Sequence, residues 1–231
     1  MAIAEALKTV KDNIEQSALK AGRNPDIVKL IAVSKTVDIE RIIIAIRAGA
    51  AILGENRVQE AREKITELKT LSPDLKVEWH LIGSLQKNKA KTAVQLFDVI
   101  HSVDSAALAD EINRHAGLMG KNQRILVQVK LADEAAKHGV QLGEIMDLLS
   151  RVMKLDNVLL EGLMTMPPFA DDPEEARPYF IRLREIADTA LAKGFPVSEL
   201  SMGMSNDYKV AVEEGATMVR VGTFIFGERS Y

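Results

Sequence analysis

Eight short runs of β-branched and aliphatic residues, separated by helical patterns, govern what this chain can become. The runs are Val28–Ser34, Ala50–Leu53, Val77–Ile82, Val99–Val103, Arg124–Leu131, Val158–Met164, Glu199–Ser201 and Met218–Gly222. Between them, apolar residues recur at helical spacing over Asp38–Ala48, Val58–Leu68, Ser105–His115, Leu142–Val152, Glu174–Ala192 and Asn206–Glu213. Strands that alternate with helices are joined by crossovers and build a parallel sheet. Eight such units in 231 residues fit a single-domain α/β fold, the (β/α)8 TIM barrel. An open doubly wound sheet is the alternative, because the second and seventh runs are weak. Ahead of the first strand, Ile3, Leu7, Val10 and Ile14 mark an extra N-terminal helix, stopped by Gly22 and Pro25. No Pro/Gly/Ser linker or shift in composition divides the chain, so residues 1–231 read as one domain.

Charge and composition then remove several classes of function. Lys plus Arg total 30 against 33 acidic residues, and aromatic residues are 4%. A chain with neither a basic surplus nor stacking platforms is not expected to bind nucleic acid. The absence of cysteine removes disulfides, thiolate metal sites and cysteine nucleophiles, and fits a reducing compartment. The N-terminal MAIAEALKTVKDNIEQ has no apolar signal core, and apolar runs such as Ile42–Ile46 are far too short to span a membrane. The expectation is a soluble, cytoplasmic protein.

In such barrels the working residues project from the C-terminal ends of the strands. At those ends stand Lys35, Glu55, Asn56, His80, His101, Thr165, Met166, the stretch Ser201 to Ser205, Arg220, Gly222 and Thr223. Lys35 follows an almost wholly apolar strand, KLIAVSK, where partial desolvation lowers an amine's pKa and exposes it for condensation with an aldehyde. Its bland counterpart is a lysine with its head in water at a loop. The turns SMGMS and VGT follow the last two strands, where barrels hold phosphate on backbone N–H groups, hydroxyls and a helix N-terminus. A capping serine and an ordinary turn glycine are the alternative. An amine beside a phosphate cradle points to pyridoxal phosphate. Arg220 facing its pyridine nitrogen would disfavour protonation there and weaken the ring as an electron sink; a structural, salt-bridged arginine is the competing reading.

His80, His101 and Glu55 converging in the barrel mouth would instead suit a metal-dependent lyase, although no H-x-H or H-E-x-x-H spacing supports a metal. His115 and His138 lie in polar contexts and read as surface residues. Met164, Met166, Met202 and Met204 read as pocket or core filling. Gln86–Lys91 reads as a solvated helix face. No Walker loop, G-x-G-x-x-G or G-x-S-x-G is present.

The segments AVSKT, GENRVQEAREKI, EWHLIGSLQKNK, GLMTMPPF and LSMGMSNDYKVAVEEGATMVRVGTFIFGER, from Lys29 to Arg229, resemble the pyridoxal phosphate homeostasis proteins, the YggS/PROSC family, in order and spacing. The resemblance implies a stand-alone version of the barrel half of alanine racemase. It implies that Lys35 carries pyridoxal 5'-phosphate as an internal aldimine, that Ser201, Ser205, Gly222 and Thr223 hold the phosphate, and that Arg220 faces the pyridine nitrogen. Asn56, His80 and Met202 would line the ring pocket. Lys35-Thr-Val replaces a K-T-K/R-P-like family sequence, so a positive charge near the pocket is lost, which puts a secondary cofactor or phosphate contact there in question. The loop around Lys137 (EAAKHGV) corresponds to a family S-K-x-G segment and raises a regulatory role for Lys137.

The implied function is to buffer and deliver the cofactor, maintaining vitamin B6 and amino- and keto-acid pools, without a dedicated reaction and with transient contacts to recipient enzymes. Only two residues follow Arg229, so the second domain of alanine racemase is expected to be absent, and a monomer is expected. The runner-up is a small racemase-like enzyme with His80 as its second base.

Overall fold

The computed structural model describes residues 2–132 and 138–227. The elements run α1 (Ile3–Lys20), β1 (Lys29–Val33), α2 (Ile39–Arg47), β2 (Ile52–Glu55), α3 (Val58–Leu71), β3 (Glu78–Leu81), α4 (Ala90–Leu96), β4 (Val99–Val103), α5 (Ala106–Leu118), β5 (Gln123–Gln128), α6 (Ile145–Val152), β6 (Val158–Met164), α7 (Arg177–Ala192), β7 (Glu199–Met204), α8 (Tyr208–Glu213), β8 (Met218–Val221) and α9 (Thr223–Phe226). All eight strands pair in parallel in sequence order, and β1 closes on β8 through Ile31 opposite Arg220. The result is the closed (β/α)8 barrel with an extra N-terminal helix, not an open sheet.

Side chains alternate between two apolar layers, as the period of a strand requires. Ile31, Ile52, Val99, Leu126, Met164 and Met218 meet inside the barrel. Ala32, Leu53, Leu81, Ile100 and Val219 face outward into a larger core shared with the helices. At the N-terminal end of the barrel, Lys29, Glu78, Arg124 and Glu199 come one from each odd-numbered strand, the layering that barrels of this type use. They pair as Lys29 with Glu199 and Arg124 with Glu78, while Arg124 also holds Glu161 at 2.6 Å. The floor of the barrel is therefore charged.

Helix ends follow local chemistry. Asp38 caps α2 by accepting the Arg41 N–H at 2.9 Å, and Ser105 caps α5. The helix α1 buries Leu7, Val10 and Ile14 against α2, α8 and α9, and its Asn13 donates to the Tyr208 hydroxyl at 2.9 Å. The stretch Gln86–Lys91 is an exposed 3₁₀ turn at Lys87–Lys89 running into α4. His115 corrects the surface reading: it lies on the buried face of α5 with Leu108 and Ile112, 8% exposed, with Nε2 3.1 Å from Glu111. Lys137 lies outside the described residues.

Candidate functional site

A cavity of about 500 Å³ opens at the C-terminal ends of the strands. Lys35, Asn56, Ser205, Arg220, Gly222 and Thr223 line it, joined by Val33, Val37, Arg41, Met166, Phe169 and Asp207. Six of the nine residues singled out from the sequence thus share one wall system.

Lys35 sits in the turn between β1 and α2, and that turn is held from behind. Thr36 adopts a left-handed backbone (φ +62°), a conformation that costs a non-glycine residue about 1 kcal/mol or more. Its N–H donates to the Glu60 carboxylate. The Lys64 ammonium donates to the Ser34 carbonyl, to Glu60 at 2.6 Å and to Glu55 at 2.9 Å. Glu55 itself is fully buried and also accepts from the Ser34 hydroxyl at 2.6 Å. Burial pushes its carboxyl up from the usual range, against the opposing pull of Lys64. The sequence marks Val58–Leu68 only as a helical pattern, and nothing in that spacing identifies the clamp.

The two glycine- and hydroxyl-bearing turns form one cradle. The Gly222 N–H donates to Ser205 Oγ at 3.2 Å, joining the loop after β7 to the loop after β8. A Cβ on Gly222 would stand 3.2 Å from Val33, so the turn packs directly on the first strand. Asp207 shapes the loop from inside by accepting the Met204 N–H at 2.5 Å; burial raises its carboxyl pKa. Gly203 is in the left-handed region (φ +90°), with Tyr208 and Ala211 of α8 against it.

Arg220 is 3% exposed and points from β8 towards the cavity. Its Nη1 donates to Ser201 Oγ at 2.6 Å and its Nη2 to the Thr165 carbonyl at 2.9 Å. Among the described residues, no carboxylate forms an ion pair with it. Burial pushes its guanidinium down to about 10, with the Asp207 charge working the other way.

Three expected pocket residues lie elsewhere. Ser201 points to the barrel axis beneath Arg220, below the cavity wall. His80 is deeper still, with Nδ1 2.8 Å from His101 Nε2 and Nε2 3.0 Å from Glu78. Met202 is one residue out of phase with Ser201, so it faces outward into the core shared with the helices. The metal reading fails on the same alternation: Glu55 faces α3 while His80 and His101 face inward.

A barrel with a lysine, a buried guanidinium and a hydroxyl-rich double turn at its mouth defines one class of protein. A family model described as the alanine racemase N-terminal domain matches residues 6–230, and the chain belongs to that family. Within it, the relatives are pyridoxal phosphate homeostasis proteins. That of Aquifex aeolicus is 43% identical over the full length of both chains. The solved structure of PipY from Synechococcus elongatus with pyridoxal phosphate bound is 40% identical, covers 97% of this chain and 100% of that one, and has a TM-score of 0.86. Alanine racemase of Clostridium difficile shares the fold alone: 18% identity, 98% of this chain on 57% of that one, TM-score 0.71.

Proposed function

We propose that the chain binds pyridoxal 5'-phosphate in the cavity at the strand ends, holds it as a Schiff base on Lys35, and buffers and delivers it to maintain vitamin B6 and amino- and keto-acid pools. The observation that carries this reading is Arg220: a buried guanidinium that forms no ion pair with a carboxylate among the described residues, in the same cavity as Lys35 and the Ser205–Gly222 cradle. Such a donor suits a neutral ring nitrogen, which accepts a hydrogen bond and is not itself protonated. The hydroxyls of Ser205 and Thr223, beside the backbone of Gly222, suit a phosphate. The residues therefore fit the group.

When bound, the cofactor supplies an aldehyde and a conjugated ring. Lys35 would hold the group through that aldehyde, the amine condensing with it reversibly with loss of one water. Hydrolysis or exchange with another amine reverses this, which is what a carrier requires. Asn56 lines the same cavity. Ser201 acts through Arg220, and His80 and Met202 are given no cofactor contact. Val37 leaves the wall beside Lys35 without the positive charge that a lysine or arginine would place there.

The makeup of the cavity favours a carrier over a racemase, which needs an acid/base group on each face of its substrate. The ionisable side chains lining the cavity among the described residues are Lys35, Arg41, Asp207 and Arg220. Asp207 is committed to the Met204 N–H, and His80 is out of reach. The chain is proposed to work as a cytoplasmic monomer that meets recipient enzymes transiently; no helix of the described residues is long and apolar enough to cross a membrane.

Titrating the purified protein with pyridoxal phosphate tests the reading. A yellow protein that loses its colour in Lys35→Ala, with no amino-acid racemisation, is expected. Turnover of any amino acid that Lys35→Ala abolishes would replace the carrier with an enzyme.

A further inference from the structure

We propose that Ser201, His101 and His80 are positioning residues for Arg220, forming a one-way hydrogen-bond relay that runs from the cavity to Glu78 on the barrel floor. The links are Arg220 Nη1 to Ser201 Oγ at 2.6 Å, Ser201 Oγ to His101 Nδ1 at 2.9 Å, His101 Nε2 to His80 Nδ1 at 2.8 Å and His80 Nε2 to Glu78 Oε1 at 3.0 Å. Arg220, Ser201, His101 and His80 are all buried.

The sense of the relay follows by elimination. A guanidinium only donates, so Ser201 Oγ accepts from Arg220. The single serine hydrogen then has one remaining buried acceptor, His101 Nδ1. A neutral His101 with Nδ1 accepting carries its hydrogen on Nε2 and donates it to His80 Nδ1. His80 in turn donates from Nε2 to Glu78. Among the hydrogen bonds of the described residues, the Ser201 hydroxyl and the ring N–H groups of His101 and His80 all find acceptors only in this sense.

The surroundings agree. The groups facing His101 are His80 from β3, Arg124 from β5 and Arg220 from β8, and burial holds its pKa well below the usual histidine value. A charged His101 would set a cation between two arginines. Facing His80 are His101 and Glu78, and Glu78 is shared with Arg124, which also holds Glu161 from β6. The floor is completed by Lys29 from β1 and Glu199 from β7, which pair with each other. Asp207 is the carboxylate whose charge acts on Arg220 from the mouth.

With Nη1 given to Ser201 and Nη2 to the Thr165 carbonyl, the plane of the guanidinium is set. Serial donors ending on a carboxylate polarise one another and strengthen the acceptor that Arg220 meets. The floor carboxylate thereby acts on Arg220 through side chains that do not line the cavity.

The relay stands on geometry alone; its optical readout rests on the proposed cofactor site. Imidazole ¹⁵N NMR of the protein without added cofactor is expected to show His101 neutral with its hydrogen on Nε2. A hydrogen on His101 Nδ1 overturns the relay. Pyridoxal phosphate titrations and visible spectra against pH then follow Ser201→Ala, His101→Leu, His101→Gln and Glu78→Gln. Losing one bond to a charged group corresponds to a dissociation constant raised about tenfold in Ser201→Ala and His101→Leu. His101→Gln, which offers one acceptor and one donor, is expected to recover most of it, and Glu78→Gln to move the pH midpoint of the chromophore without unfolding the barrel. Ser201→Ala deletes one hydroxyl and serves if His101→Leu does not fold. Wild-type affinity and pH profile in folded Ser201→Ala and Glu78→Gln would overturn the inference. A wild-type protein that never turns yellow would instead overturn the cofactor reading, and the NMR result would still judge the relay.

Discussion

The Lys64 ammonium lies 2.9 Å from the Glu55 carboxylate, and both are buried behind the turn that carries Lys35. Because Lys64 also binds the Ser34 carbonyl and Glu60, the pair fixes where Lys35 leaves the barrel. Removing one partner of such a pair strands a buried charge. Lys64→Met is expected to cost about 3–5 kcal/mol in urea unfolding. Glu55→Gln with Lys64→Met should recover part of that, which a double-mutant cycle reads directly.

Acid stability should depend on Glu78. The hydrogen bond from His80, with Arg124 beside it, holds this carboxyl at about 2 against 4.5 for the free side chain. Between those values the unfolded chain binds the proton and the native chain does not. The contribution is present in full above pH 4.5 and is lost as pH falls towards 2. With the side chain about a third exposed, solvent screening leaves about 1–2 kcal/mol. Urea unfolding at several pH values should show a steeper acid loss in wild type than in Glu78→Gln.

The cradle formed by Ser205 and Gly222 should recognise phosphate and not the ring. Ser205→Ala and Thr223→Val are each expected to raise the dissociation constant for pyridoxal phosphate about tenfold. Affinity for pyridoxal, which lacks the phosphate, should not change. Equal losses for both ligands would place the phosphate elsewhere.

Gly83 backs the loop that carries Asn56. A Cβ there would stand 2.3 Å from the Asn56 carbonyl oxygen, and the obstacle is backbone. Gly83→Ala should therefore destabilise the protein by about 1–3 kcal/mol in urea unfolding. It should also weaken cofactor binding by displacing Asn56.

The alternation of apolar runs and helical patterns made the barrel legible, including its two weak strands. Those strands are weak for structural reasons. β2 contains Gly54, where a Cβ would meet Ile31 at 2.7 Å, and β7 contains Gly203 at φ +90°. Both glycines interrupt the β-branched pattern. The expected runs consequently stop at Leu53 and Ser201, where the strands reach Glu55 and Met204. Lys35, Ser205, Arg220, Gly222 and Thr223 were legible because strand ends locate the mouth of such a barrel. Position at a strand end does not say which way a side chain points, and so Ser201, His80 and Met202 were drawn into the pocket. The strict alternation through Glu199, Ser201 and Met202 holds the signal that separates inward from outward. His115 reads as a surface residue from its polar context, whereas its spacing to Leu108 and Ile112 holds the signal for the buried face. The contribution of Glu60 and Lys64 was not, because it arises only when α3 folds back over the β1 turn.

Lys35 and pyridoxal phosphate are proposed to form a covalent, reversible bond. Borohydride reduction of the protein saturated with the cofactor, followed by peptide mapping, tests it directly. One reduced phosphopyridoxyl group, on Lys35, and loss of the yellow band on reduction are expected. A label on another lysine, or none on a protein that binds the cofactor, would contradict it.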